Sequence, residues 1–226
     1  MTATDAREIE YAASAAADIV DVVQSLAESN SNIVLAVLCG KPFVEYEHYP
    51  SGDILDPTTG GQVYFHAHPA TREGYNDFGH FHLFLRPSMS SDTADQDISA
   101  SSDAICHLVG ISVDQRGFPV GLFTTNRWVT DESWYPAAET IDMLGHFSVS
   151  TPDPSEAVSR WISSMPILFR ADIEALIHQR DRAVALWKLR HPNEDVFEDR
   201  RLEVTSWKRI DLEDRLAEIR SALGLD

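Results

Sequence analysis

The chain reads as an α+β protein: a central antiparallel sheet, with a curl into a barrel as one form it could take, preceded by one helix and followed by about three. Three observations carry that expectation. Short strand-like runs fill the middle of the chain, the connections between them are too short for crossover helices, and helical periodicity is confined to the two ends. A single domain of 1–226 follows, with an N-terminal helix in 1–31, the sheet in 32–150 and a helical part in 151–226.

The first helix is read over residues 5–28, with Asp5 capping, Glu8 three residues on, and a stripe of Ile9, Ala13, Ala16, Val20, Val23 and Ala27. The run Ser29-Asn30-Ser31-Asn32 ends it. Strands are expected at Ile33–Cys39 and Phe43–Tyr49, then at Gln62–His68 and His80–Arg86, with a turn-rich stretch from Pro50 to Gly61. Ser88 to Ser102 is almost free of apolar residues and reads as a mobile loop. Ile105–Asp114 and Phe118–Thr125 form a hairpin around Gln115-Arg116-Gly117, and Thr140–Val149 adds a last strand. In the final third, Asp153-Pro154 reads as a cap and first-turn proline, a long helix spans Pro166 to Arg190, and a last one spans Asp211 to Leu223.

The 226 residues carry 36 acids against 18 bases, a formal net charge of -18, which argues against a phosphate-backbone partner. The longest apolar runs fall short of the roughly 20 residues that span a bilayer, and the N-terminus is acidic where a signal peptide is basic. A cytoplasmic protein acting on a small molecule, away from membrane and nucleic acid, is the expectation. Cys39 and Cys106 lie in apolar runs without a C-x-x-C spacing and read as buried thiols.

The pattern that carries chemistry is a pair of His-x-His motifs, His66-Ala67-His68 and His80-Phe81-His82. Alternate residues of a strand share a face, so each pair presents two imidazoles on one side, and a hairpin would bring four together. Imidazole is a common ligand for first-row metals, so His66, His68, His80 and His82 are the candidate metal ligands. Glu73, in the connecting loop, is the candidate acid–base group or extra ligand. Arg127, in Asn126-Arg127-Trp128, is the candidate for orienting a substrate. His107, His146 and the Glu174–His178 pair read as ordinary histidine contacts. His48, with Glu45 and Glu47 nearby, could add a ligand or a supporting carboxylate.

Four resemblances bear on this. Gly60, His66-x-His68, Glu73 and Gly79 resemble the first cupin motif, which implies a β-barrel with metal on His66, His68 and Glu73; Pro119-Val120-Gly121 matches part of the second motif but no histidine follows it. The approach to His66 also resembles the histidine-triad nucleotide hydrolases, with Ala70 where their nucleophile would stand. His146-Phe147-Ser148 resembles one element of the two-histidine phosphoesterases, with His80-Phe81-His82 as its partner. Finally, the segments Gly79–Pro87, Cys106–Gly110 and Thr124–Thr130 are similar to an uncharacterised bacterial domain family of unknown function, which implies no activity.

The functional expectation is a histidine-rich metalloprotein, an enzyme using iron foremost, or zinc or copper, on a small molecule. Three histidines with open positions favour iron(II) and dioxygen chemistry or zinc hydrolysis. The alternatives are a metal- or ligand-binding protein without turnover and a phosphoesterase-like hydrolase.

Overall fold

The computed structural model describes residues 3–69, 77–87 and 104–225, with side chains from residue 7 onward. Glu73 and the Ser88–Ser102 segment lie outside the described residues. The architecture is α+β: a six-stranded antiparallel sheet in the order β1-β2-β3-β4-β5-β6, with seven α-helices among the described residues. The strands are β1 (Tyr49–Leu55), β2 (Gly61–His66), β3 (Gly79–Leu85), β4 (Cys106–Val113), β5 (Pro119–Thr125) and β6 (Val204–Arg209). The helices are α1 (Ala3–Glu28), α2 (Ile33–Leu38), α3 (Arg127–Thr130), α4 (Ala137–His146), α5 (Glu156–Leu168), α6 (Arg170–Arg190) and α7 (Leu212–Ala222). Strands β1 and β6 are the two edges of an open sheet, so the barrel implied by the cupin resemblance is not formed.

One face of the sheet is apolar because its strands place Val63, Phe65, Phe81, Leu83, Ile111, Val113 and Leu122 on the same side. The helices cover that face. Trp161 of α5, fully buried, packs its indole 5.3 Å from the Phe81 ring, and α6 lies along β5 and β6. Helix α1 packs on α5 through Ala12, Ala15, Ala16, Ile19 and Val22. The buried stripe is therefore shifted from the expected one, and Asp5 stands inside the helix rather than capping it.

Several expected elements differ. Ile33–Leu38 is helix α2, not a strand: Asn32 accepts from the Leu35 N–H at 3.0 Å, and Ile33, Val34, Val37 and Leu38 are buried at helical spacing. Its end turns at Cys39, φ 50, whose thiol is exposed rather than buried. The turn-rich stretch holds β1, and Phe43–His48 is irregular. Thr140–Val149 is largely helix α4, whose N-terminal Ala137 N–H is satisfied by Asp181 of α6 at 2.7 Å. The long helix expected from Pro166 begins instead at Arg170, because α5 carries on through Pro166 to Leu168, and Ser155, not Asp153, caps α5. Strand β6 has no apolar inner face. Thr205 and Ser206 point inward and bond Thr124 at 2.8 and 2.6 Å, which hides the strand from a hydrophobic pattern. The β4–β5 hairpin is as expected, its turn closed by Gly117 at φ 82.

Candidate metal centre

The opposite face of the sheet carries the histidines. The β2–β3 register pairs His66 with His80 and Tyr64 with His82, and antiparallel partners share a face. The fold thus brings three of the four candidate ligands together. Among the described residues, His66, His80 and His82 each offer a nitrogen, and these nitrogens all lie within 4.8 Å of one another. His68 lies two residues beyond the end of β2, its ring 4.9 Å from His66 and 5.2 Å from His80. His80 and His82 are 1% and 2% exposed while His66 is half-buried, so the cluster is closed on the β4 side and reaches solvent near β2.

Reading the register on to β4 finds a histidine that the pattern of the sequence hides. His82 opposes Gly110 and Leu83 opposes Val109, but Phe84 opposes His107 across a β-bulge. The extra residue reverses the alternation, which turns His107 toward the His82 face. His107 Nε2 lies 3.0 Å from His82 Nδ1, and His107 Nδ1 lies 3.3 Å from Thr125 Oγ1. On the other flank His80 Nδ1 meets Asp77 Oδ2 at 3.1 Å. The bulge is invisible in the run Cys106-His107-Leu108-Val109-Gly110, where every residue is buried.

Aromatic rings wall the cluster. Phe123 stands edge-on to His80 and His82 at 5.2 and 5.5 Å, and His48 stacks flat on Tyr64 at 3.7 Å with Asp53 3.2 Å from its Nδ1. Phe123 reaches its place by lying over Gly110, where an added Cβ would sit 2.2 Å from the ring. Gly110→Ala is expected to displace Phe123 at a cost of about 1–3 kcal/mol, as overpacking does; urea unfolding of the metal-free protein measures it.

The electrostatics suit ligation. Burial, reinforced by the neighbouring imidazoles of His107, His80 and His66, holds His82 well below the ordinary histidine range, and burial with Arg180 and His80 pushes His107 down to about 3. Both rings are therefore neutral, the form whose lone pair binds a metal. His66 Nε2 and His80 Nε2 lie 2.7 Å apart, so one donates to the other and a proton sits between them. Two imidazoles on one zinc ion are about 3.3 Å apart, given bonds of about 2.0–2.1 Å. The donor set fits a borderline first-row cation after small ring rotations.

A family model matches residues 13–210, most of the chain. The chain belongs to the DUF6969 family. That family is described as a domain of unknown function, in agreement with the similarity to an uncharacterised family noted above. No curated protein and no solved structure matches the chain.

The other candidate residues of this DUF6969 domain are placed as follows. Arg127 opens α3, with its guanidinium 2.5 Å from Glu198 and over the Phe197 ring at 5.3 Å. Asn126 caps the same helix and bonds the Val196 carbonyl at 2.7 Å, and Trp128 donates to the Leu202 carbonyl. All three hold the segment before β6. His146 ends α4 with an exposed ring, so the two-strand arrangement of the phosphoesterases is absent at this position. No helix of the described residues is long and apolar enough to cross a membrane.

Glu132 was not singled out by sequence. It is 4% exposed, accepts the His107 backbone N–H at 2.7 Å, and burial raises its carboxyl from 4.5 to about 8. The folded state binds this proton more tightly than the unfolded state, so the domain should lose stability as pH rises from 4.5 to about 8. Glu132→Gln should flatten that slope, a difference on the order of 5 kcal/mol at the alkaline end. Urea midpoints across this pH range measure it, and identical slopes for the two proteins would refute it.

Proposed function

We propose that this DUF6969 domain is a metal-dependent enzyme that binds one first-row transition metal through His66, His80 and His82 and acts on a small molecule. The carrying observation is the convergence of three imidazole nitrogens, each within 4.8 Å of the others, on the face of the sheet opposite its apolar side. Three ligands leave coordination positions vacant, whereas a storage or structural site closes its shell. The half-buried His66 and His68 mark the side from which water and substrate would arrive.

A metal held there supplies a Lewis acid and, if it is iron, a redox centre. The protein's own contribution is to keep His82 neutral and the three rings oriented, with Phe123 and Tyr64 excluding water from the buried side. Iron is the proposed metal, with zinc or copper next, since imidazole sites suit all three. The test is elemental analysis of untagged protein, followed by reconstitution with iron, zinc, copper, nickel and manganese. About one metal per chain is expected. Protein that stays metal-free with every one of them overturns the reading, and saturation of all positions by histidine in the loaded state would favour a binding protein without turnover.

A further inference from the structure

In two of the triad rings, His80 and His82, and in His107 behind them, the Nδ1 atom is engaged by a specific partner. His80 Nδ1 has Asp77 Oδ2 at 3.1 Å, His82 Nδ1 has His107 Nε2 at 3.0 Å, and His107 Nδ1 has Thr125 Oγ1 at 3.3 Å. An ionised carboxylate only accepts hydrogen bonds, so the hydrogen of His80 lies on Nδ1 and its Nε2 carries the lone pair. A neutral imidazole has one N–H. If that of His107 is donated to Thr125, its Nε2 must accept from His82 Nδ1–H, and His82 Nε2 is left bare. In that arrangement the two chains of hydrogen bonds run in the same sense, away from the triad. They lead to residues placed by the backbone: Asp77 is three residues from His80, and His107 is turned inward by the β4 bulge.

We propose that Asp77 and His107 are positioning residues of the metal site, holding His80 and His82 as the Nδ1–H forms so that each offers Nε2 to the metal. His107 is accordingly no ligand, although it touches one. This rests on the metal reading above and adds which nitrogens bind and what selects them. Such partners raise ligand basicity and fix ring orientation, and their loss typically weakens metal binding about 10–100-fold.

The experiment uses the full chain and zinc alone. Chelator-competition titrations compare wild type with His107→Leu, His107→Gln, Asp77→Ala and Asp77→Asn. One zinc per chain is expected in all, with affinity about 10–100-fold lower in His107→Leu and Asp77→Ala. His107→Gln and Asp77→Asn, which keep an acceptor oxygen, should recover part of it. A role in folding alone would not give that rescue. Two-bond ¹H–¹⁵N imidazole spectra of zinc-loaded wild type need no variant and should show the hydrogen of His80, His82 and His107 on Nδ1. A hydrogen on Nε2 of His80 or His82, a metal-bound His107, or unchanged affinity in both truncations overturns the proposal while the metal site stands. Wild type that binds no zinc or other metal overturns the metal reading and this proposal with it.

Discussion

His80→Ala should abolish tight metal binding, lowering affinity by at least about 1,000-fold, because it removes one of the three imidazoles that converge among the described residues. His80 is also the ring whose two nitrogens join Asp77 to His66. The variant therefore leaves a mostly buried carboxylate without this partner and costs some stability as well, which a thermal melt of metal-free protein would separate from the ligand effect. His68→Ala is the control. Among the described residues its nitrogens are not in the group that lies within 4.8 Å of one another, so the metal should be retained with a smaller loss. Metal counted per chain after gel filtration decides between them. Equal retention by His80→Ala and wild type would remove the triad from consideration.

Trp161→Ala should destabilise the domain by about 3–5 kcal/mol, the usual cost of emptying a buried aromatic position. Trp161 is fully buried and packs against Phe81, the residue between His80 and His82 on β3. Removing it takes support from the strand that carries two of the three nitrogens, so metal affinity should fall with stability. The conservative change behaves differently. The indole Nε1 of Trp161 has no hydrogen-bond partner among the described residues, and Trp161→Phe removes that unsatisfied group while keeping a ring against Phe81. Its cost should stay within about 1 kcal/mol, because relief of the orphan N–H offsets part of the lost area. Urea denaturation of the two variants reads the difference, and equal losses would show that the N–H is not a liability.

The histidine strands were legible because a strand's period of two is set by the backbone itself. His80 and His82 share a face on any strand, and the observed pairing of His66 with His80 sets His66 beside them. The β4–β5 hairpin was legible for the same reason, with Gly117 at its turn. Runs such as Ile33–Leu38 and Thr140–Leu144 were not. Their β-branched residues favour strands only weakly, and the outcome rests on the Asn32 cap in one case and on Asp181 of a distant helix in the other.

What the sequence determined by itself is the antiparallel α+β class, the two His-x-His strands and the excess of acid. These follow from local spacing and composition, which need no partner to be expressed. What only the tertiary structure decided is which imidazoles meet and what holds them. His107 enters the cluster through a one-residue bulge against β3, Asp77 reaches His80, and Glu132 is buried against the His107 backbone. A register shift of one residue exchanges the two faces of a strand, and it is settled by packing across the sheet rather than by the residues of the strand alone.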